Sequence, residues 1–273
     1  MNNRYAYSMA TQKSALCQNG SVMKIKQPSS SKVAIVTGSS RGIGAAIAKR
    51  LAADGFAVVV NYMGRTAEAN RVVHEIEEAG GRAAAIQADV SVAAEVASLF
   101  DQTATLFGGV DVLVNNAGII QPGFVSLPET DESLFDRLLA VNIKGTFNTL
   151  RTAAKRLRQD GRVVNLSSSV IGLALPGYAV YAATKSAVET LTNIFAKELR
   201  GRNITVNAVA PGATATDLFF TGKTEEQLAN FAKLPPLERI GQPEDIAGVV
   251  SFLVGSDGAW VNGQTLRVNG GVV

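Results

Sequence analysis

The chain of 273 residues is 47% hydrophobic and 18% charged, with 26 glycines and a formal net charge of +3, a balance that suits one well-packed α/β domain and excludes a wholly disordered chain. One histidine, His74, and one cysteine, Cys17, exclude an intramolecular disulfide, a histidine-based triad and a His-rich metal site, so no metal is expected. The mild basicity comes without aromatic and arginine clusters, so nucleic acid is not an expected partner, and no apolar run reaches the ~18 residues of a membrane span, so a cytoplasmic protein is expected.

Residues 1–31 are polar and end in Gln27-Pro28-Ser29-Ser30-Ser31, which reads as a flexible extension ahead of a domain spanning 32–273. From Lys32 onward, short β-branched runs alternate with longer amphipathic stretches. The predicted strands are Val33–Thr37, Ala57–Asn61, Ala83–Gln87, Val110–Val114, Arg162–Leu166, Thr205–Val209 and Thr265–Val268. Most are apolar nearly throughout, as strands covered on both faces should be. The predicted helices are Ile43–Ala53, Ala67–Ala79, Ala93–Phe107, Ser133–Arg158, Ala179–Arg200, Glu225–Lys233 and Pro243–Val254. This pattern predicts a single-domain, doubly wound Rossmann fold: a seven-stranded parallel sheet of order 3-2-1-4-5-6-7 with helices on both faces and ligands at the C-terminal strand edge. His74 sits in a polar helical stretch and is read as a surface residue.

Directly after the first strand stands Thr37-Gly38-Ser39-Ser40-Arg41-Gly42-Ile43-Gly44. Gly38 permits a tight turn, Gly42 lets backbone approach a pyrophosphate, and Gly44 allows close helix-to-strand packing, with the helix N-terminus facing the negative charge. Gly38, Ser40, Arg41, Gly42, Ile43 and Gly44 are therefore candidate dinucleotide contacts. The second strand ends in Asn61 rather than an acidic residue, which leaves room for a 2′-phosphate within reach of Arg41 and Arg65. NADP(H) is expected in preference to NAD(H). Asp89 and Val90 end the third strand, where the carboxylate is placed to accept from an adenine amine or to cap a helix. Asn116, Ala117 and Gly118 follow the fourth strand as small residues against which a ribose can lie.

Tyr181 and Lys185 are four apart on a predicted helix and share a face. A free tyrosine titrates near pH 10, and an ammonium beside it stabilises the phenolate, which is the chemistry of a proton donor and acceptor. The preceding strand exits through Ser167-Ser168-Ser169, which delivers a hydroxyl to the same end of the sheet.

Over Lys32 to Val273 the sequence resembles the short-chain dehydrogenase/reductase family. The matching positions are Thr37-Gly38-x-x-x-Gly42-x-Gly44, Asn115-Asn116-Ala117-Gly118, Asn142, Ser168, Tyr181-x-x-x-Lys185 and Pro211-Gly212. The resemblance implies that Ser168 hydrogen-bonds a substrate carbonyl oxygen, that Tyr181 protonates it during reduction, and that Lys185 holds the nicotinamide ribose and lowers the tyrosine pKa. The thirteen-residue spacing to Tyr181 favours Ser168, with Ser169 the alternative. Asn142 is implied to kink its helix and anchor a relay water. Pro211, Gly212, Thr214 by its backbone and Thr216 by its hydroxyl are implied to meet the nicotinamide carboxamide.

The loops Ile119–Phe124, Leu173–Tyr178 and Leu218–Thr221 are mostly apolar and predict a hydrophobic ketone or aldehyde, with no cation placed there for a carboxylate or phosphate. The basic run Arg151–Arg158 suits either a solvated helix end or the docking of an acyl carrier protein, as in the 3-oxoacyl-acyl-carrier-protein reductases the chain resembles. A broad carbonyl reductase, a sugar or alcohol dehydrogenase using NAD, and a non-catalytic NADP sensor are the other readings. The family resemblance also implies a homotetramer.

Overall fold

The computed structural model describes residues 31–273; the predicted extension, apart from Ser31, lies outside the described residues. Seven strands, β1 (Val33–Val36), β2 (Ala57–Tyr62), β3 (Arg82–Gln87), β4 (Val110–Asn115), β5 (Leu157–Leu166), β6 (Thr205–Pro211) and β7 (Thr265–Val268), form one sheet of order β3-β2-β1-β4-β5-β6-β7. Every pairing is parallel. β1, β2 and β4 are buried along their whole length, so β-branched runs without polar alternation are what their two covered faces require.

The helices are α1 (Gly42–Ala53), α2 (Thr66–Glu78), α3 (Ala93–Phe107), α4 (Glu132–Leu138), α5 (Thr146–Arg156), α6 (Val170–Leu173), α7 (Ala179–Glu198), α8 (Asp217–Phe220), α9 (Glu225–Lys233) and α10 (Pro243–Val254). One core lies where α1, α2 and α10 cover the sheet, and α1 inserts Ile47 and Leu51, fully buried, against Val36 and Val60. The other lies under α3, α5 and α7, around Ile35, Leu99, Phe100 and Leu113. Each such aliphatic side chain contributes ~2 kcal/mol relative to exposure, which is why α1 is held tightly at the mouth of β1. Crossovers run in opposite directions from β1 and β4, so the strand order reverses between them and opens a crevice at their C-terminal ends.

The structure corrects one long element. The continuous helix expected over Ser133–Arg158 is interrupted by a π-helical turn at Leu139–Gly145 and ends at Arg156, where Leu157 turns extended, is buried and opens β5 opposite Val110. Two local features favour the interruption. The Asn142 side chain bonds the backbone of Ile119 instead of its own helix, and Thr146 Oγ1 donates to the Asn142 carbonyl at 2.9 Å. Hydroxyl back-bonding of this kind loosens a helix ladder, and π turns cluster at functional sites.

Candidate active site

The turn after β1 is built by close approach. Gly38 has φ +61° and Gly42 φ +55°, the left-handed region that glycine enters without penalty. A Cβ on Gly38 would stand 2.8 Å from the Ala117 Cα, and one on Gly44 would stand 2.5 Å from Asn116 Nδ2 and 2.6 Å from the Gly38 carbonyl oxygen. The neighbouring strand end completes the turn. Asn116 Nδ2 donates to the carbonyls of Thr37 (2.9 Å) and Gly38 (3.0 Å), and Thr37 Oγ1 accepts from the amides of Asn116 and Ala117, each at 3.0 Å. Arg41 opens α1 with no side-chain cap on its first amides, which leaves a positive helix end facing the crevice.

At the end of β5 the three serines divide. Ser167 Oγ donates to Glu189 at 2.7 Å, while Ser169 Oγ donates to the Ala210 carbonyl and accepts from Asn269 Nδ2, each at 2.9 Å. Both are buried in structural bonds. Ser168 Oγ accepts the Val170 amide at 3.2 Å and lines the same cleft as Tyr181 and Lys185, with no other side-chain or backbone partner among the described residues. Tyr181 and Lys185 rise from the first turns of α7 on one face, with Lys185 Nζ 5.7 Å from the centre of the tyrosine ring. Lys185 Nζ donates to the Leu166 carbonyl at 2.8 Å.

In the protein alone, Lys185 is not among the groups that shift the Tyr181 phenol, whose pKa it was expected to lower. Burial pushes the Tyr181 phenol up to about 12, the Ser168 hydroxyl opposes that rise, and the Tyr178 phenol adds to it. Burial pulls the Lys185 ammonium down to about 8. The ammonium points at a carbonyl rather than at the phenol, so the desolvation that penalises phenolate outweighs its stabilisation.

Several expected contacts are used by the protein itself. Asn61 is buried; its Oδ1 accepts the Gly38 amide at 3.2 Å and its Nδ2 donates to the carbonyls of Ile86 and Ala88, so it staples the glycine turn to β2 and β3. Asp89 Oδ1 accepts the Ser91 amide at 2.8 Å, a tight turn ahead of α3, whose N-cap is Val92. Asn142 grips Ile119 through both its amide and carbonyl, 2.9 Å each, and donates to Thr184 Oγ1 at 3.1 Å. Gly118 lies beside this pair, where a Cβ would be 3.3 Å from Asn142 Oδ1 and 3.4 Å from Lys185 Nζ. Thr214 Oγ1 donates to the Gly212 carbonyl, and Thr216 Oγ1 caps α8 by accepting the Phe219 amide at 3.2 Å. Its methyl lies against Gly42, 3.2 Å from the position of an added Cβ, so the segment after Pro211 closes over the glycine turn.

These pieces line one cleft of about 1110 Å³, which brings together Gly38, Ser40–Gly44, Asn61, Asp89, Val90, Asn116–Gly118, Ser168, Tyr181, Lys185, Pro211, Gly212, Thr214 and Thr216. Asn142 stands behind this wall, touching it through Ile119. The cleft also holds residues the sequence did not single out. Lys49 and Arg71 join Arg41 and Arg65 at the end near β2, and Lys223, Phe231 and Leu234 line the other end. Lys49 and Arg71 were hidden because only the crossing of α1 over α2 brings them to the crevice. Lys223 lies two residues beyond the loop read as apolar.

The cations are largely paired: Arg41 with Asp217 (3.4 Å), Arg65 with Glu68 (3.1 Å), and Lys49 and Arg71 both with Glu75. The basic run near residue 151 is partly paired within the chain. Arg156 meets Asp101 at 2.7 Å, Arg158 meets Asp111 at 3.2 Å, and Arg151 lies over Phe147. Among the described residues no group of three or more His, Cys, Asp or Glu side chains is placed to hold a metal, and no helix is long and apolar enough to cross a membrane.

The residues present suit a phosphorylated dinucleotide. The glycine turn is tight enough that side chains are sterically shut out, a helix N-terminus faces the groove, and four cations gather at its far end. Comparison with known proteins agrees. A family model described as Enoyl-(Acyl carrier protein) reductase matches residues 38–273. An "NADPH-dependent aldehyde reductase-like protein, chloroplastic" from Arabidopsis thaliana is 44% identical over 267 residues, covering 93% of this chain and 99% of its own. A "Short-chain type dehydrogenase/reductase" from Picea abies is 44% identical over 250 residues, covering 89% and 92%. A short chain dehydrogenase from Burkholderia cenocepacia, solved in complex with NADP, superposes with a TM-score of 0.83 at 40% identity, covering 88% of this chain and 97% of its own. The chain therefore belongs to the short-chain dehydrogenase/reductase family of oxidoreductases.

Proposed function

We propose that this oxidoreductase is an NADP(H)-dependent carbonyl reductase that interconverts an apolar aldehyde or ketone with its alcohol. The observation that carries the reading is that Ser168, Tyr181 and, one helical turn on, Lys185 line the same cleft as the glycine turn, with Lys185 Nζ 5.7 Å from the centre of the Tyr181 ring. The Arabidopsis relative is described as NADPH-dependent and the Burkholderia protein was solved with NADP, which supports NADP(H) over NAD(H), as do the cations beyond β2. When bound, NADPH supplies the hydride.

The protein's own groups do the rest. Residues 38–44 and 116–118 would hold the dinucleotide backbone, and Arg41 and Arg65, paired here with Asp217 and Glu68, would meet the extra phosphate. Ser168 Oγ donates to the carbonyl oxygen of the substrate and fixes it beside the Tyr181 hydroxyl. Tyr181 then gives its proton to that oxygen as the alcohol forms, and takes one back in the oxidative direction. Because burial holds the phenol near pH 12, Tyr181 is stored as the acid, the form reduction needs. Lys185 stands ready to turn from the Leu166 carbonyl towards the developing phenolate, and Asn142 holds the Ile119 wall in place. The loops that follow β4, β5 and β6 supply an apolar surface through Ile120, Leu173, Leu175, Tyr178 and Phe219, which excludes water from the oxygen. Arg156 and Arg158 are paired with Asp101 and Asp111, which removes half of the basic run's charge from a docking surface, and the substrate is proposed as a free small molecule.

Exposed apolar side chains on two faces support a homotetramer: Phe135, Phe147 and Ile194 on α4, α5 and α7, and Phe252 with the 99% exposed Trp260 near the β7 edge. The test of function is consumption of NADPH, against NADH, with a panel of aldehydes and ketones. Turnover with NADPH, narrowed towards NADH in Arg41→Ala, supports the reading. Binding of NADPH with no turnover on any carbonyl overturns it in favour of a sensor.

A further inference from the structure

The substrate end of the cleft carries one cation that the chemistry above does not use. Lys223 follows α8, and its Nζ donates to the Phe219 carbonyl at 2.7 Å and stands 4.7 Å from the centre of the Phe219 ring. That ring meets Phe231 and Phe220 edge-on, with centroids 5.4 and 5.8 Å apart, so the ammonium rests on an aromatic wall. Arg41, Lys49, Arg65 and Arg71 each have a carboxylate partner, whereas among the described residues no carboxylate lies within 4.0 Å of Lys223. Partial burial pulls its pKa below the ordinary lysine value. A half-buried ammonium with one neutral acceptor and no counter-ion has donors to spare and gains from an anion.

Resting on the carbonyl reductase reading, we propose that Lys223 is a specificity-determining residue that binds a carboxylate of the substrate. The preferred substrates are then apolar aldehydes or ketones with a carboxylate at the far end: the carbonyl meets Ser168 and Tyr181, the body lies on the aromatic and aliphatic wall, and the carboxylate meets Lys223. An alternative role, in which the ammonium merely caps the short helix α8, would affect charged and uncharged ligands alike.

The test is calorimetric binding to the NADP+-loaded protein of a graded series of ω-phenylalkanoates and of their uncharged primary amides, with wild type, Lys223→Met and Lys223→Arg. We expect at least one acid to bind wild type about tenfold tighter than its amide, as an ionised hydrogen bond at a half-buried site should. That preference should fall to near unity in Lys223→Met and persist in Lys223→Arg, with amide binding unchanged throughout. Acids no tighter than amides across the series, or an equal preference in Lys223→Met, would overturn the proposal. Those outcomes leave turnover of uncharged carbonyls with NADPH untouched, so failure here is distinct from failure of the reductase reading.

Discussion

Three glycines separate two reasons for having no side chain, and alanine at Gly55 should behave differently from alanine at Gly44 or Gly38. Gly55 has φ +93° with nothing within 4 Å of an added Cβ, so Gly55→Ala incurs only the left-handed backbone penalty of ~1 kcal/mol. Gly44 has ordinary helical dihedrals, but its Cβ would fall 2.5 Å from Asn116 Nδ2 and 2.6 Å from the Gly38 carbonyl oxygen. Overpacking costs ~1–3 kcal/mol, and pushing Asn116 away loses two hydrogen bonds at ~1 kcal/mol each, so Gly44→Ala should cost roughly 3–5 kcal/mol. Gly38 combines φ +61° with a 2.8 Å backbone approach, and Gly38→Ala should cost at least as much. At ~2–4 °C per kcal/mol for a domain of this size, Gly55→Ala should melt ~2–4 °C below wild type and the other two ~6–20 °C below. NADPH titration should show unchanged affinity in Gly55→Ala and a loss of at least about tenfold in Gly44→Ala and Gly38→Ala, because the turn that faces the phosphates has moved. If Gly44→Ala melts with Gly55→Ala and binds NADPH like wild type, the close packing does not shape the cofactor groove.

Three further predictions concern α7 and the segment that follows β5. Lys185 is lowered from 10.5 to about 8 in the folded protein, so between pH 8 and 10.5 the unfolded chain holds more protons and stability rises with pH. At pH 7 the full penalty of the buried charge is present, on the order of 3 kcal/mol; Lys185→Met should therefore resist urea better than wild type at pH 7, with the advantage shrinking towards pH 10. An advantage independent of pH would show that the ammonium is not the destabilising group. Ser168→Ala should cost no more than ~1 kcal/mol of stability, through its bond to the Val170 amide, and lose at least about a hundredfold in turnover, since it removes the donor proposed to meet the reacting oxygen. Ser169→Ala should do the reverse: it forfeits bonds to Ala210 and Asn269, ~1–3 kcal/mol of stability, and keeps its turnover per folded molecule.

The sheet was legible because its strands carry the apolar runs that burial on both faces demands, and the strand order follows from βαβ handedness. The helix over Ser133–Arg158 misled for a physical reason. Its 3.6-residue pattern continues through Asn142, but the side chain of Asn142 finds better partners in Ile119, 23 residues away, and local periodicity carries no trace of that bond. Leu157 shows the same limit, since its place in β5 depends on Val110 across the sheet. Within the candidate site, the shared helix face of Tyr181 and Lys185 was readable from their spacing. Asn61 was read for its missing charge, yet what it does is staple three segments through buried hydrogen bonds. Lys223 escaped notice because a lysine in a polar loop looks solvated until α8 and α9 fold its stem along Phe219.

The central claim is that Tyr181 moves the proton while the rest of the cleft binds and positions. Tyr181→Phe removes one hydroxyl and leaves the ring in place, so it tests that division directly. NADPH affinity, followed by cofactor fluorescence, should stay within about twofold of wild type while turnover on the best aldehyde falls by at least about a hundredfold. Turnover close to wild type in Tyr181→Phe would contradict the account.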